Sequence, residues 1–330
     1  MMKKWIALLC IISAIGLAGC QGDSDKEQQL EKKVNELEQQ IEEMKKAVTS
    51  EKDETVFIEP MVINIIDPNT SETIHKFLPQ DLGFKEDLAM YKKNVEQLAK
   101  ELARGDEGKS GYDQRMVLDR LAGNGKVIKG SPMIVLKESE LVDKILDASV
   151  TGGVVEMPLY VTESDYDLED VPYLEEVVVA SYTTYFKTPN TSRNKNIELS
   201  AKEINNIIVG KDDYFSFNTM VGERTEERGY QRAPEIINKE LVMGIGGGIC
   251  QTSSTLFNAV DQLSIKMVER HHHSLSVGYV PEGRDATVSY GVLDFRFQNT
   301  SNAPFVIKTI YGNGFLTVEI RTAAKYQDFF

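Results

Sequence analysis

One cysteine behind a run of glycines, three consecutive histidines and two aspartates further on are the side chains of this sequence that could carry covalent chemistry. The run Met243-Gly244-Ile245-Gly246-Gly247-Gly248-Ile249-Cys250-Gln251 leads into Thr252-Ser253-Ser254-Thr255-Leu256-Phe257-Asn258-Ala259, a glycine loop followed by a helix start. Cys250 is therefore expected at a helix N-terminus. There the backbone field favours the thiolate, the nucleophilic form, and N–H groups without helical partners can hold an oxyanion. A cysteine nucleophile also needs a base and a group to orient it. Arg270-His271-His272-His273-Ser274 supplies bases; on a strand, His271 and His273 share one face and His272 and Ser274 the other. His273 is the preferred base. Asp285, after the Pro281-Glu282-Gly283 turn, and Asp294, at the head of the next expected strand, are the candidate orienters. The chemistry of such a set is acyl transfer.

Other readings of the same residues stay open. A cysteine after glycines also suits a small buried side chain in a tight helix–sheet contact. His271, His273 and Cys250 could ligate zinc, although no second close-spaced ligand pair accompanies them. Ser253, Ser254 and Thr255 read as polar groups of a helix start and Asn258 as a solvated helix residue. The glycine run lacks the Gly-Lys-Ser/Thr ending that grips phosphate and magnesium, and nothing else in the sequence calls for a cofactor or a metal. The order Cys, His, Asp matches the layout of papain-like, transglutaminase-like and NlpC/P60-like enzymes, an analogy of arrangement only.

The elements expected to position these groups lie in a C-terminal domain over 171–330. A strand is expected over 177–186, a helix over 197–209, a helix from Cys250 to about 263, extended stretches over 266–280, 287–290 and 294–298, and a hairpin over 305–321 turning at Gly312-Asn313-Gly314. This reads as an α+β domain with a mostly antiparallel sheet. Residues 165–172 are acidic and turn-rich, the pattern of a linker. Before it, 56–170 reads as a small α+β domain: a strand over 56–67, an amphipathic helix over 86–103 with Leu88, Tyr91, Val95, Leu98 and Leu102 on one side, a further helix over 138–148 and a strand over 154–161. Its one histidine, His75, has no ligand or catalytic company.

The N-terminus implies export. Lys3 and Lys4 precede an uncharged apolar run over 5–16 that is too short to span a bilayer, as in a signal peptide. Leu17-Ala18-Gly19-Cys20 resembles the lipobox of bacterial lipoproteins. That resemblance implies a signal over 1–19, a diacylglycerol on Cys20 and a chain held at the outer face of the cytoplasmic membrane. Of the three cysteines, Cys250 would then be the sole free thiol of the mature chain. Residues 20–55 are charged or Gln-rich, with Leu30, Val34, Leu37, Ile41, Met44 and Val48 at alternating spacings of four and three. This is a coiled-coil stalk of about three heptads, marginal alone in water; β-branched residues at a and complementary charges at g and e suit a parallel homodimer through residues 26–48, and a solvated spacer is the alternative. The formal net charge of −14, without a Lys/Arg-rich block, argues against nucleic acid as a partner.

Many ordered segments of the C-terminal half resemble the VanW domain. They run from Ser181-Tyr182-Thr183-Thr184-Tyr185-Phe186 through Arg193-Asn194-Lys195-Asn196-Ile197, Phe215-Ser216-Phe217-Asn218 and Val221-Gly222-Glu223-Arg224-Thr225 to Gly246-Gly247-Gly248-Ile249-Cys250-Gln251, His273-Ser274 and Tyr279-Val280-Pro281-Glu282-Gly283-Arg284-Asp285-Ala286-Thr287-Val288. The resemblance implies a role in the cell envelope. With the chemistry of Cys250, it suggests an enzyme acting on peptidoglycan peptides by acyl transfer or hydrolysis; the alternative is a non-catalytic module for wall binding or envelope assembly. The segment from Met133 to Val161 also resembles the peptidoglycan-binding module that often precedes such domains.

Overall fold

The structure, a computed structural model, describes residues 31–44, 61–106, 108–237, 239–263 and 265–330. The signal segment, Cys20 and the heptad positions Leu30 and Val48 lie outside the described residues. Two compact units emerge, one taking residues up to Gln97 with Ser139–Met157, the other Leu98–Glu138 with Pro158–Phe330.

In the first unit, residues 31–44 are helical, with Leu37 and Ile41 buried. Ile63–Ile66 is the middle strand of a three-stranded sheet, antiparallel to Thr73–Phe77 and parallel to Gly153–Glu156. The helix Glu138–Ala148 buries Leu141, Val142, Ile145 and Leu146, the i, i+1, i+4, i+5 stripe of an amphipathic helix. The helix Leu88–Arg104 forms as its periodicity predicts, but its fully buried line is Tyr91, Val95, Ala99 and Ala103, with Leu88, Leu98 and Leu102 only half-buried. The strand expected over 154–161 is two strands, Gly153–Glu156 and Leu159–Thr162, in different sheets. Pro158 sits between them and has no N–H to carry a ladder across.

The second unit is built on a six-stranded antiparallel sheet, in the order Val177–Tyr185, Phe315–Thr322, Phe305–Gly312, Ile207–Val209, Arg120–Leu121, Val127–Ile128. A three-stranded antiparallel sheet, Tyr214–Ser216, Arg296–Gln298, Lys266–Glu269, accompanies it. One core joins them, in which Phe215, Phe257, Phe295, Phe297 and Phe305 are wholly or almost wholly buried. This is the α+β, mostly antiparallel class the sequence implies. The boundary between 170 and 171 does not mark a packing seam: Met116 and Leu118 are buried in this same core, and Arg120 pairs with Ile207. Nor is 165–172 an open linker. Asp165 bridges Lys211, Leu168–Tyr173 forms a 3-10 helix, and Asp170 is buried against Lys325 and the hydroxyl of Tyr326.

Candidate active site

Cys250 is the second residue of the helix Ile249–Val260, at the helix N-terminus that the glycine pattern predicts. Gly248 caps it at φ +107°, a left-handed conformation that costs a side chain energy, and a Cβ on Gly247 would lie 2.3 Å from the carbonyl oxygen of Ala233. The glycines therefore serve backbone approach. Asn196 holds the loop from behind, donating to the carbonyls of Gly247 at 2.9 Å and Gln231 at 2.8 Å and accepting from Gln231 N–H at 2.7 Å. Cys250 is partly buried, its Sγ 3.6 Å from Thr287 Oγ1 and 3.5 Å from the carbonyl oxygen of Val288.

The rest of the helix is buried on every side, polar residues included. Each polar group has a partner, as burial demands, and three of them hold one strap of chain. Ser253 donates to the carbonyl of Ala286 at 2.5 Å, Ser254 accepts from Ala286 N–H at 2.9 Å, and Asn258 donates to the carbonyl of Arg284 at 2.7 Å while accepting from its guanidinium at 2.8 Å. Asp285 lies between the two gripped residues. Ser253, Ser254 and Asn258 are thus structural clasps, and Asn258 is 2 % exposed where the sequence suggested a solvated position. Helical spacing alone could not reveal this, because the face opposite the apolar stripe is covered by residues that follow much later in the chain.

Asp285 accepts three nitrogens from adjacent residues: His273 Nδ1 at 2.6 Å, the His273 backbone N–H at 2.7 Å and His272 Nδ1 at 2.7 Å. A carboxylate only accepts, so His273 Nδ1 carries the proton and Nε2 is left for the thiol. The strand of this region ends at Glu269, so the alternation expected of 270–274 does not hold. His271 turns to Glu269 at 3.0 Å, while His272 and His273 both meet Asp285, because one carboxylate gathers both rings and the backbone between them.

Electrostatics couple the three groups. Burial opposes charge on Asp285, but His272 and the backbone and ring of His273 outweigh it and hold the carboxyl down to about 2. Burial pushes the His273 imidazole down; Cys250 and Asp285 more than reverse this and raise it. Burial likewise pushes the Cys250 thiol up, and the hydrogen bond and charge of His273 bring it below its ordinary value. Both shifts run in the direction of a thiolate–imidazolium pair.

Asp294, the other candidate orienter, belongs to a different network. It takes Arg115 at 2.8 Å, Ser216 Oγ at 2.6 Å, and the backbone N–H groups of Asn218 at 2.9 Å and Phe295 at 2.8 Å. Its work is to tie the head of Arg296–Gln298 to the start of the helix Phe217–Val221. The zinc set is not assembled, since His271 faces Glu269 and His273 faces Asp285; among the described residues no group of three or more His, Cys, Asp and Glu side chains could hold a metal. Residue types alone did not single out His272, Thr287, Asn196 or Arg193, whose guanidinium donates to Gln251 Oε1 at 2.8 Å. The signal for Arg193, Asn196 and Thr287 was present only as motif residues without an assigned role.

Residues 192–321 match the family described as VanW like protein. The uncharacterized protein YoaR of Bacillus subtilis (strain 168) is 43 % identical over 190 residues, 57 % of this chain and 63 % of that protein. The Vancomycin B-type resistance protein VanW of Enterococcus faecalis (strain ATCC 700802 / V583) is 27 % identical over 117 residues, 34 % of this chain and 42 % of that one. The chain spans less than two thirds of the length of both relatives. No solved structure matches. Cys250, His273 and Asp285 all fall inside the region, residues 192–321, that is similar to the VanW like protein family.

Proposed function

We propose that Cys250, His273 and Asp285 are the nucleophile, base and orienter of an acyl-transfer site for peptidoglycan peptides. The observation that carries this reading is the gathering of three groups at one helix start: Asp285 accepts from His273 Nδ1 at 2.6 Å, and the hydrogen bond and charge of His273 lower the Cys250 thiol. In the reaction the thiolate attacks a peptide carbonyl carbon. His273 Nε2 gives its proton to the leaving amine, and water or a second amine then releases the acyl group from sulfur. The amides of Ile249 and Gln251 are engaged by the carbonyls of Gly246 and Gly248. That leaves the N–H of Cys250 as the donor of this first turn for the oxyanion.

The membrane supplies the setting: Cys20 carries lipid, and residues 20–55 are the spacer between it and the rest of the chain. Cys20→Ala should move the chain from the membrane fraction to the soluble one; retention in the membrane would refute lipid anchoring at this residue. For the chemistry, purified full chain is treated with iodoacetamide across pH and modification is read on the Cys250 peptide, alongside turnover of muropeptides with and without Cys250→Ala. The expected results are alkylation at neutral pH faster than a model thiol and loss of turnover in the variant. A Cys250 that reacts only after denaturation would instead leave a non-catalytic wall-binding module.

A further inference from the structure

Arg224 is the second anomaly of the domain. Both of its terminal nitrogens, Nη1 and Nη2, are buried without a hydrogen-bond partner among the described residues. The guanidinium carbon lies 5.8 Å from the ring centroid of Phe217 and 5.7 Å from that of Tyr290, contacts that engage its faces or edges loosely and satisfy no N–H donor. A buried cation with unmet donors is costly unless an anion or another acceptor completes it. The nearest carboxylate whose charge it feels, Asp294, already accepts from Arg115, Ser216 and two backbone N–H groups.

The position of this guanidinium links it to the thiol. A Cβ built on Gly246 would lie 3.2 Å from both Cβ and Cγ of Arg224, so the arginine stem packs on the same glycine loop that delivers Cys250. Its charge and that of Cys250 act on each other. Tyr290 is half exposed and lines a cleft of about 460 Å³, beside the Arg224 guanidinium, whose charged walls are Arg115, Glu269 and Asp294, the two carboxylates being engaged by Arg115, His271 and Arg296. A second polar group points the same way: Tyr230 is 3 % exposed, its hydroxyl has no hydrogen-bond partner among the described residues, and Arg224 and Arg228 are the cations it feels.

We propose that Arg224 is the anion-recognition residue of the Cys250 site, taking a carboxylate of the substrate in its planar fork, with Tyr230 as a neutral donor beside it. A guanidinium matches a carboxylate bidentately where a lysine would offer only a point charge. The proposal rests on the acyl-transfer reading and sharpens it: the substrate is a peptide with a free carboxylate close to the bond that is attacked. Arg224 binds and positions, and takes no part in proton transfer.

The test uses two alkylating agents of one size, anionic iodoacetate and neutral iodoacetamide, on the full chain, with modification read at Cys250. Iodoacetate should react faster at low concentration, its rate should saturate, and propionate should protect against it competitively. Arg224→Gln should lower the iodoacetate-to-iodoacetamide rate ratio about ten-fold, and Arg224→Lys should restore part of it. A wild-type ratio no greater than that of a model thiol, with no protection by propionate, overturns the proposal and leaves the thiolate reading intact. A ratio unchanged by Arg224→Gln does the same, because a diffuse field from Arg193 and His273 would then explain it. A Cys250 inert to both reagents overturns the acyl-transfer reading and this one together. The wild-type measurements stand even if a variant fails to fold.

Discussion

Asp285 answers two histidines with one carboxylate, and this sets what each ring can do. His273 is almost fully enclosed and bonded through ring and backbone, whereas His272 is half exposed and reaches the other oxygen. Asp285→Asn removes the acceptor that fixes the His273 tautomer. Turnover should fall by about 10³–10⁴-fold, and Cys250 alkylation at neutral pH should slow, because His273 loses the charge that lowers the thiol. A variant with wild-type rates would detach Asp285 from the site. The same groups give the pH response of stability. Asp285 is depressed to about 2, so its contribution is present above the ordinary carboxylate value and is lost as pH falls through that lower range. His273 is raised, so its contribution is full below the ordinary imidazole value and disappears as pH rises through the folded one. Cys250, His273 and Asp285 were legible from residue types and order. The choice between Asp285 and Asp294 was not, since both follow the histidines and only the fold decides which one returns to them.

At the scale of elements, the helix Ile249–Val260 works as a fixture that grips the strap carrying Asp285. Ser254→Ala and Asn258→Ala each remove buried bonds to Ala286 or Arg284. Each should cost about 1–3 kcal/mol in thermal or denaturant unfolding. Because both hold one strap, the double variant should depart from additivity by about 0.5 kcal/mol or more; strict additivity would mean the clasps act separately. Gly248→Ala forces a side chain into φ +107° and within 2.7 Å of Arg193 Cγ, and should destabilise by about 1–3 kcal/mol. The helix start and the hairpin turning at Gly312-Asn313-Gly314 could be read locally, since glycines and alternation announce them. The hairpin Arg232–Ile237 with Glu240–Ile245 could not, because Pro234 argues against a paired strand and the exposed Leu241 and Met243 give no clean inside–outside alternation.

At the scale of the whole molecule, burial runs across the expected boundary between 170 and 171. A break at 170/171 was drawn from composition, and composition does report a turn-rich acidic stretch. It cannot report that Met116 and Leu118 are buried in the core beneath Cys250's helix, or that Arg115 reaches Asp294. A fragment of residues 171–330 should therefore unfold at lower temperature and yield to proteolysis faster than the full chain, through loss of apolar burial and of one edge of the large sheet. Protease resistance equal to that of the full chain would mean the earlier segment is dispensable.

The pairing of Val177–Tyr185 with Phe315–Thr322 also sets an order of events during synthesis. Cys250's helix presses against these two strands, and one of them follows Asp285 in the chain. A nascent chain that has reached Asp285 holds Cys250, His273 and Asp285, but not the surface that brings them into register. Pairings this distant in sequence form late. Cys250 therefore leaves the ribosome in the surroundings of an ordinary cysteine, and its folded environment forms only after Phe315–Thr322 has been made.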